Sequence, residues 1–131
     1  MTVYKKLILE AIENNNRYYY MSEACGIFAI ALHDIFGYSI EILTDSESGI
    51  VAHVYCVKNN TAVDFIGVRP RKNIIDYYHD INPSTKIIKK SELLTLMGDN
   101  DELPLMPFDK QSYDEARQII LQNQKKFTIP E

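Results

Sequence analysis

The sequence has no tryptophan and only two cysteines and five glycines. Two thiols, Cys25 and Cys56, are too few for a disulfide framework, and they lack the C-x-x-C spacing of a zinc or redox pair. Each is therefore read by itself. Long apolar runs are missing too. The longest, Ile27–Leu32 within Ala24–Leu32, is about half of the roughly 20 residues that cross a bilayer, so no membrane span is expected. The lysines near the start are followed by polar and acidic residues rather than a signal-peptide apolar region, and the expected location is the cytoplasm. Positive charge is also in short supply. A net charge of −4 does not suit a surface that neutralises phosphates, and no nucleic-acid partner is expected.

What is present reads as one folded domain spanning residues 1–131. The apolar share is 46 % against 24 % charged residues, far from the composition of a disordered chain, and two domains of half this length would each lack a sound core. Val3/Tyr4, Leu7/Ile8 and Ala11/Ile12 form a helical stripe ending at Asn14-Asn15-Asn16. After Tyr18-Tyr19-Tyr20, Ser22 reads as the N-cap of a second helix running to Phe36 and stopped by Gly37. That helix is apolar on almost every side from Ala24 to Leu32, the mark of a helix buried within a fold.

The period then changes to that of strands. Tyr38–Leu43 alternates, Asp45–Gly49 is a loop, and Ile50–Lys58 and Thr61–Val68 form a hairpin around Asn59-Asn60. A short helix over Lys72–His79, a strand over Thr85–Lys90, a short helix over Ser91–Met97, an extended loop to Phe108 and a last helix capped by Ser112 follow. The expected class is α+β, a buried helix on a small antiparallel sheet with flanking helices.

The chemistry centres on Cys25. If Ser22 caps the helix, Cys25 lies in its first turn, where the macrodipole and unpaired N–H groups favour a thiolate. Gly26 would let a substrate carbonyl approach the backbone. Strand parity supplies an independent geometric relation. With Asn59-Asn60 as a two-residue turn, Lys58 pairs with Thr61, Val57 with Ala62, Tyr55 with Asp64 and His53 with Ile66. His53 and Asp64 are then diagonal neighbours on one face, the carboxylate orienting the imidazole and the ring serving the thiol. Cys56 falls on the opposite face as a core thiol.

The order Cys, then His at a strand start, then Asp on the next strand, with the nucleophile on a buried helix, resembles the papain-like superfamily in its transglutaminase-like branch. The stretch Cys25–Leu32 followed by Gly37-Tyr38, His53-Val54-Tyr55 and Asp64-Phe65-Ile66-Gly67 is also similar to small proteins of phages and mobile elements. The resemblance covers residues 20–70, with a weaker echo at Ala116-Arg117. It implies a papain-like core and a hydrolase or acyltransferase in which Cys25 attacks, His53 transfers protons and Asp64 orients. No cofactor and no metal are implied. Gly26 stands where these families usually place an aromatic residue, and no glutamine precedes Cys25. Oxyanion donors would be the Cys25 N–H and a group from the preceding segment, with Asn16, Tyr19 and Tyr20 as candidates.

Other readings stay open. Cys25 could be a small buried hydrophobe, and Cys25, His53, Asp64 and His79 are zinc-compatible types without paired spacing. Arg69-Pro70-Arg71-Lys72 either holds an acidic group or is a solvated loop; Tyr55, Arg69 and Arg71 are the substrate-binding candidates. Tyr18-Tyr19-Tyr20 either lines a cleft or packs on the central helix. Two functions compete: a peptidase, deamidase or transglutaminase-like enzyme, and a phage-type binding or inhibitor protein that keeps a vestigial site. In both, a protein or peptide is the expected partner rather than a small molecule.

Overall fold

The computed structural model describes residues 15–98 and 105–131. The helix expected over Val3–Ile12 and the middle of the loop before Phe108 lie outside these residues. The fold is α+β, as its sequence pattern indicates. Residues 15–21 are helical (α1), so Asn15-Asn16 lie in a helix, and Tyr18-Tyr19-Tyr20 are part of α1 rather than a connector. The central helix α2 is Cys25–Phe36. Eight consecutive residues of it, Cys25 to Leu32, are buried, as an all-round apolar sequence requires. Gly37 ends it in the left-handed conformation, at φ 77°, and its N–H closes on the His33 carbonyl at 2.8 Å.

The start of α2 differs from expectation. Ser22 is not the cap: its hydroxyl turns back to the Tyr18 carbonyl of α1, and Ala24 occupies the cap position without a side-chain bond. The segment between the helices is a turn bonded to α1, with the Ala24 N–H on the Tyr19 carbonyl at 3.0 Å. Cys25 is consequently the first helical residue, not the third.

Five antiparallel strands, β1 (Ser39–Asp45), β2 (Val51–Lys58), β3 (Thr61–Asp64), β4 (Gly67–Pro70) and β5 (Pro83–Ile88), form one sheet in the order β4-β3-β2-β1-β5. The β2–β3 register is the one parity demands, with Lys58 opposite Thr61, Val57 opposite Ala62 and Cys56 opposite Val63; Asn59 takes the positive φ, 58°. The second strand is shorter than its apolar run suggests. Asp64 accepts the Ile66 N–H at 3.0 Å, the side-chain turn that aspartate offers a backbone, and Gly67 at φ 123° lets the chain reverse into β4. Ile66 therefore sits in a tight turn and does not pair with His53.

Alternation gives the sheet two buried faces. Ile40, Ile42, Val54, Cys56 and Val63 pack with α2 and with Leu93 and Met97 of α4 (Lys90–Gly98), Ala116 and Ile120 of α5 (Lys110–Gln122) and Phe127 of α6 (Gln124–Phe127). Leu43, Tyr55, Val57 and Ala62 face Ile74 of α3 (Arg71–Tyr77), which a 3-10 turn, His79–Ile81, follows. Asp109, not Ser112, caps α5: its carboxylate accepts the Ser112 N–H at 2.9 Å. The last helix also breaks at Asn123 rather than running on to Lys126.

Candidate functional site

His53 and Asp64 meet on the α3 face. His53 Nε2 lies 2.9 Å from Asp64 Oδ2, with the imidazole fully buried. A bulge beside His53 helps aim it, because Leu43 pairs with His53 while Thr44 pairs with Val51, leaving Ala52 as the extra residue. The ring lies between two tyrosines, stacked on Tyr55 at 5.5 Å and on Tyr78 at 6.0 Å between centroids. With Nε2 committed to Asp64, Nδ1 has no conventional hydrogen-bond partner among the described residues. Besides Asp64, the Cys25 thiol lies near enough to this ring to act on its protonation.

Cys25 and His53 come from opposite sides of the sheet. α2 packs on the Cys56 face, whereas His53 belongs to the Tyr55 face. β3 ends at Asp64, two positions short of the one that would face His53, so no β3 residue pairs with β2 at His53. Cys25, the N-terminal residue of α2, is near enough to the imidazole to act on its protonation.

The electrostatics follow from burial and pairing. Burial opposes charging of His53, but the hydrogen bond to Asp64 and then the contact with Cys25 outweigh it, and its pKa is pushed up to about 9. Burial likewise works to raise Asp64, yet the His53 hydrogen bond and charge, Arg69 and the Ile66 N–H hold its carboxyl below the ordinary carboxylate range. Arg69 Nη2 lies 2.6 Å from the same Asp64 oxygen that His53 uses. An imidazole held by an ionised carboxylate near a thiol brings together the group types that nucleophilic thiol chemistry uses.

The remaining sequence candidates separate. Arg69 joins the site. Tyr55 and Arg71 do not face an open groove: the Tyr55 hydroxyl and the Arg71 Nε converge on Glu41, buried in β1, with Arg71 at 2.8 and 3.0 Å from its two oxygens. Tyr19 and Tyr20 fasten α1 to α5, through Ser112 Oγ at 2.6 Å and the Ser112 carbonyl at 2.9 Å. Tyr20 also packs on Phe28 and Phe65 in the core. Asn16 is half-buried on α1. The Cys25 N–H, the expected oxyanion donor, is bonded to the Ser22 carbonyl at 3.3 Å. Gly26 serves close packing rather than substrate approach, since a Cβ there would stand 3.1 Å from Met97 Sδ. His79 is exposed in its 3-10 turn, bonded to the Asp76 carbonyl of α3.

Tyr78 is the residue that sequence reasoning missed. It stacks on His53, and burial, followed by the nearby Cys25, pushes its phenol up to about 12. It also lines a cleft of about 330 Å3 that Arg69 and Ile66 share, so this cleft adjoins the buried His53–Asp64 pair. Nothing in the Tyr77-Tyr78 pair separates it from an ordinary helix-end aromatic.

No family model matches the chain, and neither a curated protein nor a solved structure matches it.

Proposed function

We propose that this chain is a cysteine-nucleophile hydrolase or acyltransferase acting on an amide or acyl bond, of the papain-like, transglutaminase-like kind. The observation that carries this reading is His53, buried with Nε2 on Asp64 and near enough to the Cys25 thiol for the thiol to raise its pKa. The Cys25 sulfur bonds to the acyl carbon, the carbon–nitrogen bond breaks, and His53 delivers the proton to the departing amine. Water or an acceptor amine then gives its proton to His53, attacks the thioester carbon and frees the thiol. Asp64 keeps the imidazole oriented through both half-reactions. Two unpaired thiols suit a reducing compartment, and we place the protein in the cytoplasm. No helix among the described residues is long and apolar enough to cross a membrane.

A second reading, a phage-type binding or inhibitor protein with a vestigial site, is favoured by one observation. Cys25 is only 3 % exposed. Iodoacetamide labelling of the native protein, mapped by mass spectrometry, separates the two. The enzyme reading expects Cys25 to be labelled and His53→Ala to slow that labelling by about tenfold or more. Protection of Cys25 equal to that of Cys56 would overturn it in favour of the binding reading.

A further inference from the structure

The cleft beside the triad has a chemistry of its own. Arg17 of α1 and Arg69 of β4 both line it, with Tyr77, Tyr78, Met21 and Ile74, and no carboxylate lines it among the described residues. In a chain of net charge −4, two arginines on one small cleft run against the overall balance. Arg69 spends Nη2 on Asp64, while its buried Nε has no hydrogen-bond partner among the described residues. A buried N–H without a partner is costly, so a ligand oxygen that meets it gains that difference. The planar guanidinium fork matches a carboxylate. At about 330 Å3 the cleft is near the lower end of ligand pockets, a volume for a group of dipeptide size. Its tyrosine rings and aliphatic side chains suit an apolar stem.

We infer that the amide or acyl compound processed at Cys25 carries a carboxylate, held by Arg17 and Arg69, with an apolar stem packed on Tyr77 and Ile74. The inference rests on the reading of Cys25 as a nucleophile. The carboxylate would share Arg69 with Asp64, which ties recognition of the anion to the residue that orients His53.

The test compares two alkylating agents that differ only in charge, iodoacetate and iodoacetamide. In both, the Cys25 sulfur attacks the methylene carbon, a carbon–sulfur bond forms, the carbon–iodine bond breaks and iodide leaves. For the intact chain, the ratio of iodoacetate to iodoacetamide rates at Cys25 is expected to exceed that of glutathione by about tenfold. It should fall toward the glutathione value in Arg17→Gln and lower still in Arg17→Glu. A wild-type ratio equal to that of glutathione, or a raised ratio that neither variant moves, overturns the carboxylate preference and leaves the nucleophile in place. Failure of both reagents to label Cys25 overturns the nucleophile reading, and the inference with it.

Discussion

His53 Nε2 and Asp64 Oδ2 stand 2.9 Å apart on residues separated by eleven positions, with neither side chain more than 3 % exposed. A pair buried to that degree links folding to pH through both partners. The His53 pKa, raised from 6.5 to about 9, adds stability that is complete below about 6.5 and is lost as pH rises through about 9. Asp64 is lowered, so its contribution is present above the ordinary carboxylate value of ~3.9 and is lost as pH falls through its own lowered value. Urea unfolding between pH 6.5 and pH 9 should therefore show a loss on the order of 2 kcal/mol that Asp64→Asn largely removes. A profile that is the same in wild type and variant would contradict the pairing.

The two thiols should behave as different residues. Cys56 donates to the Ala29 carbonyl at 3.2 Å in the fully buried core, and burial pushes its thiol well up. Native-state alkylation should leave it untouched, with labelling only after denaturation. Cys56→Ala is expected to cost about 1 kcal/mol in packing and the lost hydrogen bond, without altering the labelling rate of Cys25. A parallel loss of Cys25 labelling in the folded variant would show that the two thiols are coupled.

Periodicity and parity made much of this legible from sequence. The buried helix, the Asn59-Asn60 hairpin and the meeting of His53 with Asp64 all follow from local pattern, because a one-residue slip would move every side chain to the wrong face. The start of α2 was not legible: Ser22 has the chemistry of a cap, but the Tyr18 carbonyl of α1 competes for its hydroxyl and wins. The early end of β3 was signalled by Asp64 and Gly67 with two residues between them, a turn hidden inside an apolar run. Recognising that turn would have placed Arg69 opposite Ala62, on the face of Asp64. Tyr78 and the Tyr55–Glu41–Arg71 cluster depend on α3 folding back over the sheet, a tertiary relation without a local signal.

Glu41 gives a test of that cluster. Its buried carboxylate is held by Arg71 and by the Tyr55 hydroxyl, and Arg71 Nη2 reaches Thr85 Oγ1 on β5 at 2.8 Å. Arg71→Ala should leave an uncompensated buried charge and cost about 3 kcal/mol, whereas Glu41→Gln in that background should recover part of the loss. Thermal unfolding of the single and double variants measures the coupling. Additive effects would mean that Glu41 and Arg71 do not act as a pair.

Gly67 ties stability to the site. Its φ of 123° lies in the region that favours glycine, and a Cβ there would come 3.3 Å from the Lys126 carbonyl oxygen of α6, a backbone atom that cannot rotate away. The turn it permits carries Asp64 at one end and leads into Arg69 at the other, and Asp64 pairs with Gly67 across it. Gly67→Ala should therefore lower stability by roughly 2 kcal/mol and also disturb the carboxylate that His53 needs. The expected signature is a joint change: a lower urea midpoint together with slower Cys25 alkylation under conditions where the variant is still folded. Stability loss with unchanged alkylation would mean that the turn supports the fold alone and that Asp64 keeps its place without it.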